Sequence, residues 1–322
     1  MENYIPTLNY KHGDRCVPIP YSERELQSVV AKPFVKVSDK QSDLEGVCFD
    51  KTGRTMYFVN CPENHVCSLN METKQIKVLC EVNKYAPGTW IASVKVHKDG
   101  RLFVPYFTLD HKDGGIFFIN PDRSGFTQVE AAKGLVADDI SFDSKGGMYI
   151  TDMSGLPTEL TGTVAYIPAD GSKCHTVIRN LAAPNGIALS SDEKVLWVTD
   201  TLTGNIIRNE LTENGEILPF CQTVVYCVKG HCGSDSIELD EDGNVYNAIY
   251  PQGRVIVYNP NGYPIEQILM PGRDEGQLLS TTHATLRPNT REVYICTNGT
   301  TGAWILRAGG FAKADANAFF MK

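Results

Sequence analysis

Asn185-Gly186-Ile187-Ala188-Leu189-Ser190-Ser191-Asp192-Glu193-Lys194-Val195-Leu196-Trp197-Val198 reads as two short apolar strands joined by a polar turn. The pattern recurs five more times. The first strand has counterparts at residues 45–50, 92–97, 138–143, 235–240 and 282–287. The second has counterparts at 56–59, 102–104, 148–150, 245–248 and 293–296. The six repeats start at 45, 92, 138, 185, 235 and 282, at intervals of 47, 46, 47, 50 and 47. Alternation with a period of two marks strands, because successive side chains leave a strand on opposite faces. Short strands repeated every forty-odd residues are the signature of propeller blades. The expected fold is therefore all-β. It is a six-bladed β-propeller with four-stranded antiparallel blades around a central channel, formed as one domain over residues 1–322. Residues 1–38 are an N-terminal arm, whose segment 34–37 is expected to complete the last blade and so remove an open sheet edge. Residues 22–30 carry the only suggestion of helical periodicity.

Composition narrows the function. The 322 residues carry a formal net charge of −8, and the pI is near 5.4. Displacing counterions from nucleic-acid phosphates needs a basic surface, so no nucleic-acid partner is expected. No apolar run reaches the roughly 20 residues of a membrane span. Residues 1–15 are polar and lack the apolar core of a signal peptide, so a cytoplasmic chain without a membrane partner is expected. The ten cysteines form no Cys-x-x-Cys pair, and the gaps between Cys221, Cys227 and Cys232 do not suit a structural zinc. They read as reduced thiols.

The first residues of the six repeats are Glu45, Ala92, Asp138, Asn185, Asp235 and Thr282. Two and four places on, the residues are mostly apolar: Val47 and Phe49, Ile140 and Phe142, Ile187 and Leu189, Ile237 and Leu239. These share a strand face and are expected to pack blade against blade. The heads have the same parity but break the apolar rule. Inner strands of a propeller run along its axis, so their heads converge on one channel mouth. Three carboxylates and an amide oxygen crowded there repel strongly unless a cation or protons relieve them. Hard oxygen donors without Cys or His select Ca²⁺ or Mg²⁺, and four protein donors plus water suit calcium better.

Longer strings carry a family resemblance. Leu44-Glu45-Gly46, the string at 97–104, the run from Asn185 to Thr199, Gly233-Ser234-Asp235-Ser236 and residues 263–276 resemble the senescence marker protein, gluconolactonase and luciferin-regenerating enzyme superfamily. Within it the chain is most similar to the drug-responsive lactonases of Gram-positive bacteria. The resemblance covers residues 7–313. It implies a six-bladed propeller with one catalytic calcium held by Glu45, Asp138, Asn185, Asp235 and Ser236, with Asp235 also transferring protons and Asp138 supporting the attacking water. It further implies a second, structural calcium near Asp113, Gly114 and Glu130. There this chain departs from the family pattern, with Lys112 in place of a serine and Glu130 in place of an aspartate. An ammonium at position 112 opposes metal binding.

The activity so implied is calcium-dependent hydrolysis of a lactone, the small-molecule partner expected here. Sugar-lactone members of the superfamily place an Arg and an Asn before the third-repeat Asp. This chain has Val136, Ala137 and Asp138 before Asp139, which points to an apolar or aromatic lactone. Loops 61–65, 85–90 and 153–159 are expected to set specificity. His231 precedes Asp235 by four residues and is a candidate for the pocket mouth. No Gly-x-Ser-x-Gly elbow, Walker loop, dinucleotide fingerprint or His-Glu-x-x-His occurs. Three alternatives stay open at this level: a calcium-dependent phosphotriesterase, a gluconolactone-type hydrolase, and a non-enzymatic binding propeller.

Overall fold

The structure, a computed structural model, describes residues 17–231 and 233–315. Cys16 and Cys232, and the first part of the N-terminal arm, lie outside them. Six small antiparallel sheets account for nearly all of the regular structure. Each repeat supplies one sheet, and in each the expected first strand is innermost. Blade 1 comprises Leu44–Phe49, Thr55–Asn60, His65–Asn70 and Ile76–Glu81. Blades 3, 4, 5 and 6 start from Ala137–Phe142, Pro184–Leu189, Gly233–Leu239 and Ser280–Leu286. In blade 2 the inner strand is broken into Thr89–Ile91 and Lys95–Val96, both paired with Leu102–Thr108. Inner strands of neighbouring blades touch, except that Leu102–Thr108 makes the contact from blade 2 to the inner strand of blade 3, and the sixth inner strand contacts the first, so the ring closes.

The apolar alternation builds the packing. Six main clusters of buried side chains fill the six clefts between neighbouring blades. Val47 and Phe49 pack against blade 6, Ile140 and Phe142 against blade 2, Ile187 and Leu189 against blade 3, and Ile237 and Leu239 against blade 4. Gly46 marks one place where the blades come closest. At φ +55°, a Cβ there would lie 2.3 Å from the Ser93 Cα and the Val94 N, both backbone atoms.

Two N-terminal strands bind the last two blades. Lys32–Ser38 is the outermost strand of blade 6, antiparallel to Gly302–Gly309. Gln27–Val30 adds to the outer edge of blade 5, parallel to Pro264–Leu269. Residues 22–30 are therefore not helical beyond the single 3₁₀ turn Tyr21–Glu23, because the sheet edge offers this segment a ladder of partners that a short isolated helix lacks. The turn is anchored by a fully buried ion pair. Glu23 Oε2 lies 2.5 Å from Arg254 Nη1, and the Tyr226 hydroxyl donates to Glu23 Oε1. The eight described cysteines are all unbridged, and Cys48, Cys61, Cys67 and Cys296 are buried. Among the described residues no helix is long and apolar enough to cross a membrane.

Candidate active site

The heads do not sit where simple alternation puts them. In five blades the pairing of the inner strand with its neighbour slips by one residue at the head. The slips fall between Glu45 and Cys48, Ala137 and Ile140, Pro184 and Ile187, Ser234 and Ile237, and Thr281 and His283. Each inner strand carries one extra residue there, a β-bulge, which breaks the period of two and re-aims a side chain. The parity expectation is corrected accordingly. Heads and packing residues part company at the bulge, and the heads turn to the channel.

Glu45, Asp138, Asn185, Asp235, Ala92 and Thr282 all line one cavity of about 180 Å³. Its remaining wall is Asp43, Trp90, Phe107, Met153 and Tyr250. The cavity thus combines acidic heads with aromatic and apolar side chains. Trp90 and Met153 come from two of the loops expected to set specificity. Loop 61–65 contributes no lining residue, and neither does the exposed His231. Ser236 is buried but is not among the lining residues; its N–H donates to Asp235 Oδ1 at 3.0 Å.

The electrostatics are those of crowded acids. Burial, then the charges of Asp235 and Asp138, hold the Glu45 carboxyl well above the usual range. Burial and the adjacent Asp139 push Asp138 up to about 8. Burial and Asp138 raise Asp235, against the opposing hydrogen bonds of the Ser236 N–H and the Asn185 side chain. Asn185 Oδ1 is buried without a hydrogen-bond partner. A buried amide oxygen rarely goes unused, and a hard cation is one partner that would satisfy it. All four groups are hard oxygen donors, and they fit a calcium ion in kind. Among the described residues, no three or more His, Cys, Asp or Glu side chains are arranged to hold a metal by themselves. The donors stand around the cavity, not around one point.

Below the heads the channel carries a second charged layer. Lys95 Nζ lies 3.6 Å from Asp139 Oδ1 and 3.8 Å from Glu238 Oε2, all three side chains being nearly or wholly buried. His283 Nδ1 lies 4.0 Å from Glu45 Oε2. Burial and the Lys95 charge hold the His283 ring well below its usual pKa. Sequence reading missed Asp43, His283 and this layer. Asp43 had one weak signal, an acid two places before a head, and its carboxylate accepts from Asn298 Nδ2 at 2.7 Å. The residues expected around a second calcium have partners within the protein. Glu130 is paired to Lys133 at 2.6 Å, the Gly114 carbonyl accepts from the Gly134 N–H, and Asp113 Oδ1 accepts from the Gly114 N–H.

A profile described as the SMP-30/Gluconolactonase/LRE-like region matches residues 45–297, from the first head to the last blade. The chain belongs to that family. The resemblance read from the repeat strings is thereby confirmed. Among its relatives is the lactonase drp35 of Staphylococcus saprophyticus, 42% identical over 325 residues, spanning 99% of each chain. The lactonase drp35 of Staphylococcus aureus is also 42% identical, over 323 residues and 98% of each chain. Solved structures share the fold at lower identity. A luciferin-regenerating enzyme superposes with a TM-score of 0.70 at 18% identity, covering 89% of this chain and 99% of its own. A gluconolactonase from Xanthomonas campestris superposes with a TM-score of 0.68 at 18% identity, over 87% and 95%.

Proposed function

We propose that this chain is a calcium-dependent lactonase that hydrolyses apolar or aromatic lactones. The observation that carries the proposal is the cavity that brings four carboxylates, those of Asp43, Glu45, Asp138 and Asp235, and the unpartnered Asn185 amide oxygen together with Trp90, Phe107, Met153 and Tyr250. The full-length similarity to enzymes named lactonases supports the same reading. Glu45, Asp138, Asn185 and Asp235, with Ser236, would hold the calcium. When bound, such an ion supplies Lewis-acid polarisation of a carbonyl oxygen and acidifies water.

The side chains do the rest. The aromatic wall seats the ring of the substrate and keeps bulk water off it. Asp235 accepts a proton from the attacking water, whose oxygen bonds to the acyl carbon. The ring C–O bond then breaks, and Asp235 returns the proton to the departing alkoxide, leaving a hydroxy acid. Asp138 orients the water, and Glu45 and Asn185 hold the cluster in place. An Asp235→Asn variant with near-normal turnover in calcium would refute this division of roles.

The test is hydrolysis of dihydrocoumarin by protein stripped with chelator and then refilled with calcium, run beside an aryl phosphotriester and gluconolactone. Activity on the aromatic lactone that vanishes and returns with calcium is expected. Activity indifferent to chelation would overturn the metal role. Turnover mainly of the phosphotriester or the sugar lactone would overturn the substrate class.

A further inference from the structure

The bulged heads are tied to one another by side-chain hydroxyls that pass from blade to blade. Ser93 Oγ of blade 2 donates to the Asp138 carbonyl of blade 3 at 2.9 Å. Thr151 Oγ1 of blade 3 accepts from its own blade's Asp139 N–H at 2.9 Å and donates to the Asn185 carbonyl of blade 4 at 2.6 Å. Thr199 Oγ1 of blade 4 accepts from its own blade's Gly186 N–H at 2.8 Å and donates to the Asp235 carbonyl of blade 5 at 2.7 Å. Ser93, Thr151 and Thr199 are buried. Three of the four proposed donors that line the cavity thus have their own backbone carbonyl held by the blade before them. In blades 3 and 4 the same hydroxyl also closes the bulge.

A bulge needs such a device. Its extra residue is left out of the regular ladder, so its backbone groups must find other partners or bear the penalty of burial. A hydroxyl both donates and accepts, and here it satisfies one bulge while fixing the next head. Hydrogen bonds in series polarise one another, so the chain couples the heads more firmly than separate contacts would.

We infer that Ser93, Thr151 and Thr199 are positioning residues forming a relay that sets the register of Asp138, Asn185 and Asp235 as donors. The inference rests on the proposed calcium site. Calcium affinity of the full-length chain is measured by competition with a chromogenic chelator for wild type, Thr151→Val, Thr199→Val, Thr199→Ser and Thr297→Val. Valine keeps the shape of threonine and removes the hydroxyl. Thr297 is the control, since it is also buried and its hydroxyl meets the Leu278 carbonyl and the Thr281 hydroxyl, and no backbone carbonyl of Glu45, Asp138, Asn185 or Asp235.

Loss of an outer partner of a metal ligand typically weakens binding about 10- to 100-fold. That loss is expected in Thr151→Val and Thr199→Val. Thr199→Ser should restore affinity, and Thr297→Val should lower only the melting temperature. Wild-type affinity in both relay variants, or equal loss in Thr297→Val, would overturn the inference. Amide exchange supplies a readout free of metal. Thr151→Val should speed exchange at Gly186, one blade away, as well as at Asp139. A wild type that takes up no calcium would sink the site reading alone; the relay then stands or falls on the Gly186 amide, whose unchanged protection would refute it.

Discussion

Replacing Asp235 by Asn should make the metal-free chain more stable and the enzyme inactive. Asp235 is 7% exposed, and its carboxyl is raised by burial and by Asp138. Asn keeps the shape, and its amide oxygen can still accept the Ser236 N–H. Two unit charges about 4 Å apart at an effective dielectric of 20 repel by about 4 kcal/mol. Partial protonation already relieves some of this, so the gain from removing the charge is on the order of 1–3 kcal/mol. At about 2–4 °C per kcal/mol for a large domain, the melting temperature in chelator should rise by roughly 2–12 °C. With calcium the order should reverse. An ion at 100 times its Kd stabilises the wild type by about 2.7 kcal/mol, and the variant forfeits much of that. Losing the proposed proton-transferring group should lower turnover roughly 10²- to 10⁴-fold. Thermal scans of both proteins in chelator and in calcium, with hydrolysis rates alongside, make the assay. A melting temperature that falls in chelator would refute the account of crowded acids.

Gly46→Ala should destabilise the fold by several kcal/mol, on the order of the largest single-site effects, because its Cβ meets only backbone of blade 2; urea unfolding checks this, and it should dislodge Glu45 as well. Glu23→Ala leaves Arg254 charged and 0% exposed, at an expected loss of about 3–5 kcal/mol. In the same assay, Glu23→Ala combined with Arg254→Met should lose less than the single change. Glu266 is buried, and burial raises its carboxyl to about 7 against the hydrogen bond from Gln27. The native state therefore binds this proton more tightly than the unfolded state, and the group's contribution falls as pH rises from about 4.5 to about 7. Glu266→Gln should thus match wild type near pH 4.5 and exceed it by about 1–2 kcal/mol above pH 7.5, read from urea midpoints at each pH.

Much of the architecture was legible because it is periodic. A strand buries every second side chain, so Val47 and Phe49, or Ile187 and Leu189, announce both the strand and the cleft it fills. The candidate site was legible for a related reason. Polar residues at one register of four repeats, Glu45, Asp138, Asn185 and Asp235, have no place in a packing face, and a ring of repeats brings equal registers together. The helical hint at 22–30 failed because a nine-residue pattern carries little weight against an open sheet edge hundreds of residues away.

The order and number of blades, the inner strands and the identity of the convergent oxygen donors were thus determined by the sequence alone, since each follows from spacing along the chain. The direction in which those donors point was decided only by the tertiary structure. A bulge leaves no mark on an apolar alternation. Its extra residue is tolerated here because hydroxyls on neighbouring strands and blades, Thr151 and Thr199 among them, take up the backbone groups it strands. Those partners are 34 and 36 residues away, and the Glu23–Arg254 pair spans 231. Contacts at such separations form only when blades and the N-terminal arm have packed together.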